Sequence, residues 1–240
     1  MRTAVVIPAR FTSERLPGKP LAEIHGKPMI VRVLERARAA RGVDSVVVAT
    51  DDERIAAAVR EAGGEAAMTP SDCPSGSDRC AFAARRLGEL DVVVNVQGDE
   101  PLLDPGAIED LLGAFADPAV EMATLARALE PGELENPNVV KVVRNLRGDA
   151  LYFSRAAIPH RRDPVAEPRA HVGIYAFRAE FLQAFTRLPP TPLERTEKLE
   201  QLRALEHGHA IRVLDTSYRS IGVDTPEDLE RVRDLVAAGA

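Results

Sequence analysis

Apolar and polar positions along the chain follow two rhythms. Val5, Val6 and Ile7 run without polar interruption into Pro8-Ala9-Arg10, and Val46-Val47-Val48-Ala49 and Val92-Val93-Val94 repeat the pattern. Continuous β-branched runs of this length predict strands buried on both faces, as in a parallel sheet. Between these runs the period lengthens. Met29, Ile30, Val33, Leu34 and Ala37 recur at helical spacing, as do Ile55, Val59 and Ala62, which lie behind a capping Asp51-Asp52 and ahead of a stopping Gly63-Gly64. A short strand near Ala66 and Met68, a Pro/Ser/Gly loop over 70–78, a helix from 79 to about 87 and a helix opened by Pro105 complete the first half. This order predicts an α/β fold with a mostly parallel sheet and helices on both faces.

The second half is less regular. Strands are predicted over 122–126, 139–143, 151–153 and 171–177, with a polar, proline-bearing stretch over 159–168 between the last two. Strands in succession without intervening helices predict an antiparallel subdomain. One helix over 193–206 and a strand over 211–214 follow. Thr225-Pro226-Glu227-Asp228 then supplies cap, N1 proline and early acids for a final helix.

The 240 residues, 45% hydrophobic, suffice for one large domain, 1–240, or one domain with a subdomain insertion. No run approaches the roughly 18 apolar residues of a membrane span, and the N-terminus lacks a secretory pattern, so the expectation is a cytoplasmic protein without membrane insertion. The chain carries a net charge of −6, yet residues 1–41 hold nine Lys or Arg against three acids. One basic segment on an acidic protein suits a small anionic ligand and argues against a nucleic-acid partner, which needs a broad basic face. Cys73 and Cys80 have no histidine or further cysteine near them in sequence, which fits two unpaired thiols.

Ligands of parallel α/β sheets bind beyond the C-terminal strand ends. The first predicted strand empties there into a loop with Arg10, Arg15 and Lys19, positions suited to a polyphosphate; the other reading is a solvated basic loop. The strand over 91–96 ends in Gln97-Gly98-Asp99-Glu100-Pro101, placing a carboxylate at the same edge. Asp99 is a candidate ligand for a hard cation such as Mg²⁺, or a turn cap before Pro101. Asp224 is either its companion or a helix-start acid. Ser75-Gly76-Ser77-Asp78-Arg79 reads as an anion-recognition turn at a helix start or as an ordinary structural turn. His171, Tyr175, Glu200 and Gln201 are candidates for a polar substrate pocket, or surface polar residues with one core tyrosine. The first strand does not lead into Gly-x-Gly-x-x-Gly, which argues against a dinucleotide oxidoreductase.

The segments Ile7-Pro8-Ala9-Arg10, Arg15-Leu16-Pro17-Gly18-Lys19-Pro20-Leu21, Val96-Gln97-Gly98-Asp99-Glu100-Pro101, Asn136-Pro137-Asn138-Val139, Tyr152-Phe153-Ser154-Arg155, Leu199-Glu200-Gln201-Leu202-Arg203 and Gly222-Val223-Asp224-Thr225-Pro226 run in order over nearly the whole chain. Together they resemble the 3-deoxy-manno-octulosonate (Kdo) cytidylyltransferases, the CMP-Kdo synthetases of lipopolysaccharide assembly. The resemblance implies a nucleotidyltransferase with a Rossmann-like sheet that activates Kdo with CTP and dimerises as a homodimer through its second half. It implies that 1–120 is mainly nucleotide-binding, 121–215 mainly sugar-binding and dimerising, and that 216–240 carries a metal-binding aspartate and the last helix. Arg10, Ser13, Lys19 and Arg79 would handle phosphates and ribose, with Ser75 and Gly76 beside the nucleotide and Gln97 reading the cytosine. Asp99 and Asp224 would hold Mg²⁺, and Arg155, His171, Tyr175, Glu200 and Gln201 would line the sugar pocket. Arg10, Lys19, Asp99 and Asp224 are the expected catalytic group. The alternatives are cytidylyl transfer to another acidic sugar, such as a sialic acid or 8-amino-Kdo, and an inactive nucleotide-binding module.

Overall fold

The structure is a computed structural model that describes every residue except Glu14, Pro164 and Ala240. The chain divides into two compact units, Met1–Glu109 with Ser220–Ala240, and Asp110–Arg219.

In the first unit, β1 (Thr3–Ala9) is buried along its whole length. A small hairpin, β2 (Glu23–Ile24) and β3 (Lys27–Pro28), leads into α1 (Met29–Arg38). Then come β4 (Ser45–Thr50), α2 (Glu53–Glu61), β5 (Glu65–Met68), α3 (Gly76–Ala84) and β6 (Val92–Asn95). The strands are parallel in the order β6-β1-β4-β5, with Val5 opposite both Val46 and Val94. From β1 through β4 to β5 the chain steps one way across the sheet, and from β5 to β6 it steps back. Right-handed crossovers put α1 and α2 on one face and α3 on the other. Gly64 lies under that first pair, where a Cβ would come within 2.5 Å of Leu34 and 2.7 Å of Val59. The reversal makes the C-terminal ends of β1 and β6 the topological switch point, the place where such a sheet opens a crevice.

The unit boundary falls inside α4 (Pro105–Gly113). The second unit holds β7 (Met122–Ala128), β8 (Lys141–Arg144), β9 (Ala150–Ser154) and β10 (Arg169–Arg178), then α5 (Ala179–Phe185), α6 (Pro192–Glu197), α7 (Leu202–Glu206) and β11 (Arg212–Asp215). β10 pairs antiparallel with β7 and β8, β8 pairs antiparallel with β9, and β11 lies parallel to β7. Phe153, His171, Tyr175, Phe177, Phe185 and Phe181 form a continuous chain of ring contacts through this unit.

The chain re-enters the first unit at Ser220 and closes with α8 (Pro226–Ala237). Thr225 and Asp228 form the expected capping box. The helix buries Leu229 and Val232 against Val223, Ile24 and Met29, which fixes the segment just before it.

Two expectations change. The single helix over 193–206 is two short helices, because Lys198 adopts a left-handed conformation (φ 55°) that ends α6 and turns Leu199 and Gln201 inward. The helix expected from 79 begins at Gly76, with Ser75 as its cap. α5 was not anticipated, although Phe181, Leu182 and Phe185 carry its buried face. No helix among the described residues is long and apolar enough to cross a membrane.

Candidate active site

Beyond the ends of β1 and β6, the first unit encloses a concavity of about 860 Å³, within the range of small-molecule sites. Arg10, Ser13, Lys19, Ser75, Gly76, Arg79, Gln97, Asp99 and Asp224 all line it. These nine residues come from four separate segments, and the switch point brings them to one place.

Backbone geometry forms this wall. Gly98 must be glycine, because a Cβ there would stand 2.9 Å from the Pro8 carbonyl oxygen and 3.2 Å from Ile30. The exits of β1 and β6 can therefore approach closely. The loop after β1 folds back on itself through Gly18 N–H donating to the Phe11 carbonyl (3.2 Å), with Gly18 at φ 71° under the Phe11 ring. The Arg54 guanidinium lies 3.4 Å from that ring's centroid and is itself paired with the α2 cap Asp52.

The electrostatic centre is a cation between two carboxylates. Lys19 Nζ donates to Asp99 Oδ2 at 2.6 Å and to Asp224 Oδ1 at 3.1 Å. The two oxygens are thus no more than about 5.7 Å apart, and one ammonium bridges them. A backbone bond from Val223 N–H to the Asp99 carbonyl (2.9 Å) and a hydrogen bond from Ser220 Oγ to Glu100 register the segment carrying Asp224 against the end of β6. Arg15 pairs with the other oxygen of Asp224 at 3.1 Å. Arg10 is exposed and has no partner among the described residues. The two carboxylates face one cation, here the Lys19 ammonium, and oxygen donors of this kind suit a hard cation such as Mg²⁺. No group of three or more His, Cys, Asp or Glu gathers among the described residues, so two aspartates are what the protein offers a metal here.

Other candidates have partners of their own. Arg79 is buried, with one nitrogen on Thr69 Oγ1 and another 3.0 Å from Asp51, so it shapes the wall as part of an ion pair. Ser75 Oγ donates to the Asp78 carboxylate (2.7 Å) and accepts from its N–H (3.2 Å), acting as the α3 cap, and Ser13 Oγ accepts from Leu16 N–H (3.3 Å). Gln97 Nε2 donates to Asn95 Oδ1 (3.1 Å), which fixes its amide, and Gly76 lies beside that amide. Cys73 also lines the concavity, and burial pushes its thiol above the usual range, away from a nucleophilic thiolate. Sequence reasoning missed Asp51, Thr69 and Asn95 as partners. Asp51 and Asn95 sit at the ends of predicted strands, which was the available signal.

The remaining five candidates belong to the second unit. His171 Nε2 is 2.9 Å from Thr124 Oγ1, which also lies 2.9 and 3.2 Å from the Ile174 and Val172 carbonyls. With the Thr124 proton on either carbonyl, the imidazole donates through Nε2–H and Nδ1 is the acceptor; with it on the imidazole, the roles of the two nitrogens exchange. Burial pushes the His171 pKa down to about 3, so the ring is neutral at physiological pH. Its ring centroid is 5.5 Å from that of Tyr175, across a β10 register shift between Val172 and Tyr175. Burial, and after it the Glu200 carboxylate, keeps the Tyr175 phenol protonated. Gln201 is buried, and its Nε2 has no partner among the described residues. Such a donor costs stability unless something supplies an acceptor. Arg155 is half-buried, with Nε on the Glu197 carbonyl (2.8 Å) and Nη1 on the Pro137 carbonyl (3.1 Å).

Comparison with known proteins gives this arrangement a family. Residues 4–212 match the cytidylyltransferase family. A 3-deoxy-manno-octulosonate cytidylyltransferase from Anaeromyxobacter sp. (strain Fw109-5) is 64% identical over 99% of this chain and 98% of its own length. The chain belongs to the 3-deoxy-manno-octulosonate cytidylyltransferase family. The relative from Myxococcus xanthus (strain DK1622) is 51% identical over 99% of this chain and 97% of its own. A solved CMP:2-keto-3-deoxy-manno-octonic acid synthetase, complexed with CTP, superposes with a TM-score of 0.96 at 48% identity over the full length of both chains. The resemblance to the Kdo cytidylyltransferases is therefore upheld, and this member is a nucleotidyltransferase of α/β fold.

Proposed function

We propose that this cytidylyltransferase transfers the cytidylyl group of CTP to Kdo, giving CMP-Kdo and pyrophosphate, with Mg²⁺ held by Asp99 and Asp224. The observation that carries the reading is Lys19 bridging those two carboxylates inside the concavity at the switch point. Relatives and the solved synthetase supply the substrates, since their names specify Kdo or its synonym and the solved protein was complexed with CTP.

The reaction is an in-line attack by the sugar's anomeric hydroxyl on the α-phosphorus, with pyrophosphate leaving. Catalysis here is mainly positioning and charge neutralisation. Mg²⁺, when bound, neutralises phosphoryl charge and lowers the pKa of a hydroxyl it coordinates. Arg10, without a protein partner among the described residues, and Lys19 meet the triphosphate, and Lys19 can exchange its carboxylate partners for phosphate oxygens. Gln97, its amide held by Asn95, reads the base, and Gly76 leaves the base room to approach. Ser75 and Ser13, whose hydroxyls serve the backbone, hold their segments in shape beside the nucleotide, and Arg79 fixes the wall near the ribose. On the sugar side, Arg155 pairs with the carboxylate, His171 Nδ1 exchanges a hydrogen bond with a hydroxyl, the Tyr175 hydroxyl and Gln201 Nε2 donate, and Glu200 accepts. We extend the reading to a homodimeric, cytoplasmic enzyme of lipopolysaccharide synthesis, the dimer to be checked by sedimentation.

Pyrophosphate release from purified protein with CTP and Mg²⁺, given Kdo, 8-amino-Kdo or a sialic acid in turn, tests the assignment. Release with Kdo at the highest kcat/KM supports it. A higher kcat/KM with another sugar would reassign the acceptor, and CTP binding without turnover on any sugar would leave only a nucleotide-binding protein.

A further inference from the structure

Lys141, on β8, is the largest of the fully buried side chains and has no exposed surface, yet it is a cation. Burying an ammonium costs several kcal/mol unless its donors are met. Here all three donors are met by carbonyl oxygens: Asn136 at 3.0 Å, Val139 at 2.7 Å and Arg155 at 2.6 Å. Burial draws its pKa below the ordinary lysine value, against the nearby Glu135 and Glu197 carboxylates, which favour the charged form. An apolar side chain would fill this position at lower cost if filling were the only requirement. The arrangement instead calls for three donors at one buried point.

Each of those carbonyls belongs either to Arg155 or to a turn that Arg155 touches. Asn136 and Val139 bound the short turn whose Pro137 carbonyl accepts from Arg155 Nη1 (3.1 Å). The Arg155 carbonyl itself is the third ligand of the ammonium. From the opposite side, Glu197 accepts from Arg155 N–H (3.0 Å) and Ser154 Oγ (2.6 Å), and its own carbonyl accepts from Arg155 Nε (2.8 Å). Glu197 is the last residue of α6, and the left-handed Lys198 then turns the chain directly into Glu200 and Gln201. One network therefore holds Arg155 by backbone and guanidinium and links it to the segment that carries two more sugar-side candidates. It leaves Arg155 Nη2 with no hydrogen-bond partner among the described residues.

We infer that Lys141 is a positioning residue for the acidic sugar: its buried ammonium gathers the turn at 136–139 and the Arg155 backbone so that Arg155 presents its unpaired nitrogen to the substrate carboxylate. The inference rests on the reading of Arg155 as a sugar contact. It places Lys141 in no contact with substrate and gives it no part in nucleotide binding, whose candidates lie in the other unit.

The test is steady-state kinetics on Lys141→Met, Glu197→Ala and Arg155→Ala in the full-length enzyme, with CTP affinity measured separately by calorimetry. Lys141→Met should raise KM for Kdo tenfold or more, with kcat at saturating sugar within about threefold and the CTP dissociation constant within about twofold. A general loss of structure would move the CTP constant as well. Unchanged KM for Kdo in a folded Lys141→Met protein, alongside a raised KM in Arg155→Ala, overturns the positioning role and leaves the sugar pocket standing. Unchanged KM in both overturns the pocket reading together with it. If Lys141→Met does not fold, Glu197→Ala decides from the opposite side of the network, a tenfold rise in KM supporting the role and an unchanged KM ending it.

Discussion

Replacing Lys19 with methionine removes the ammonium that bridges Asp99 and Asp224 and keeps most of the side chain's length. The nearer bond is 2.6 Å, with Lys19 only 15% exposed and Asp99 29% exposed. At an effective dielectric of 20 the Coulomb attraction of such a pair is about 6 kcal/mol, most of which is offset by desolvation of the two charges. Asp224 is 52% exposed and its contribution is screened further. A net of about 1 to 2 kcal/mol is what a metal ion entering without nucleotide must displace, so Lys19→Met should bind such an ion roughly 5- to 30-fold more tightly than the wild type. Titrating nucleotide-free protein with Mn²⁺ as a paramagnetic substitute for Mg²⁺ measures this, with Asp99→Asn as the control that should lose the site. The same Lys19→Met protein should turn over at least about a hundredfold more slowly, because the phosphate contact is gone. Metal affinity equal to or weaker than wild type in Lys19→Met would refute the picture of lysine and metal as competitors for one pair of carboxylates.

Asp99→Asn should keep the fold, read by circular dichroism, and lower kcat at least a hundredfold, about 2.7 kcal/mol of transition-state stabilisation; near-normal turnover with Mg²⁺ would count against the metal assignment. Gly98→Ala drives a Cβ to 2.9 Å from the Pro8 carbonyl oxygen, so the ends of β1 and β6 must part, at a cost of about 1 to 3 kcal/mol seen as a lower thermal midpoint together with weaker CTP binding. His171 bears on acid stability. Its folded pKa of about 3 lies below the ordinary histidine value of 6.5, so between those values the unfolded chain binds the extra proton. Its stabilising contribution is present above about pH 6.5 and is lost as pH falls toward 3. His171→Phe should therefore flatten the decline in unfolding free energy from pH 6.5 to 4 in urea titrations, and an unaltered slope would argue that the ring is not held neutral.

Much of the first unit was legible because its information is local. β-branched runs marked the parallel strands, and Asp52, Pro105 and Thr225-Asp228 marked helix starts where the structure has them. The positions of Arg10, Lys19 and Asp99 followed from a general rule about strand ends, and they line one concavity together with Asp224, which reads locally as their companion or a helix-start acid. What the sequence withheld is pairing across distance. Arg79 looked free to meet a phosphate, but Asp51, 28 residues earlier, holds it. Lys141 interrupts a run of valines inside the strand predicted over 139–143, and nothing local shows that carbonyls from one turn and from Arg155 enclose it. The break at Lys198 lacks proline or glycine; tertiary packing of Leu199 and Gln201 overrides a helical pattern that would otherwise run through.

The bond between Lys19 and Asp224 spans 205 positions of sequence, and the unit that contains both is assembled from an early stretch and a late one. During synthesis, the ribosome delivers the lysine, the glycine wall and the first aspartate long before the second aspartate emerges. A growing chain can therefore acquire a nucleotide-sized hollow while the carboxylate pair is still half made. Catalytic competence then arrives as one late event, when α8 docks on the β2–β3 hairpin and carries Asp224 into place.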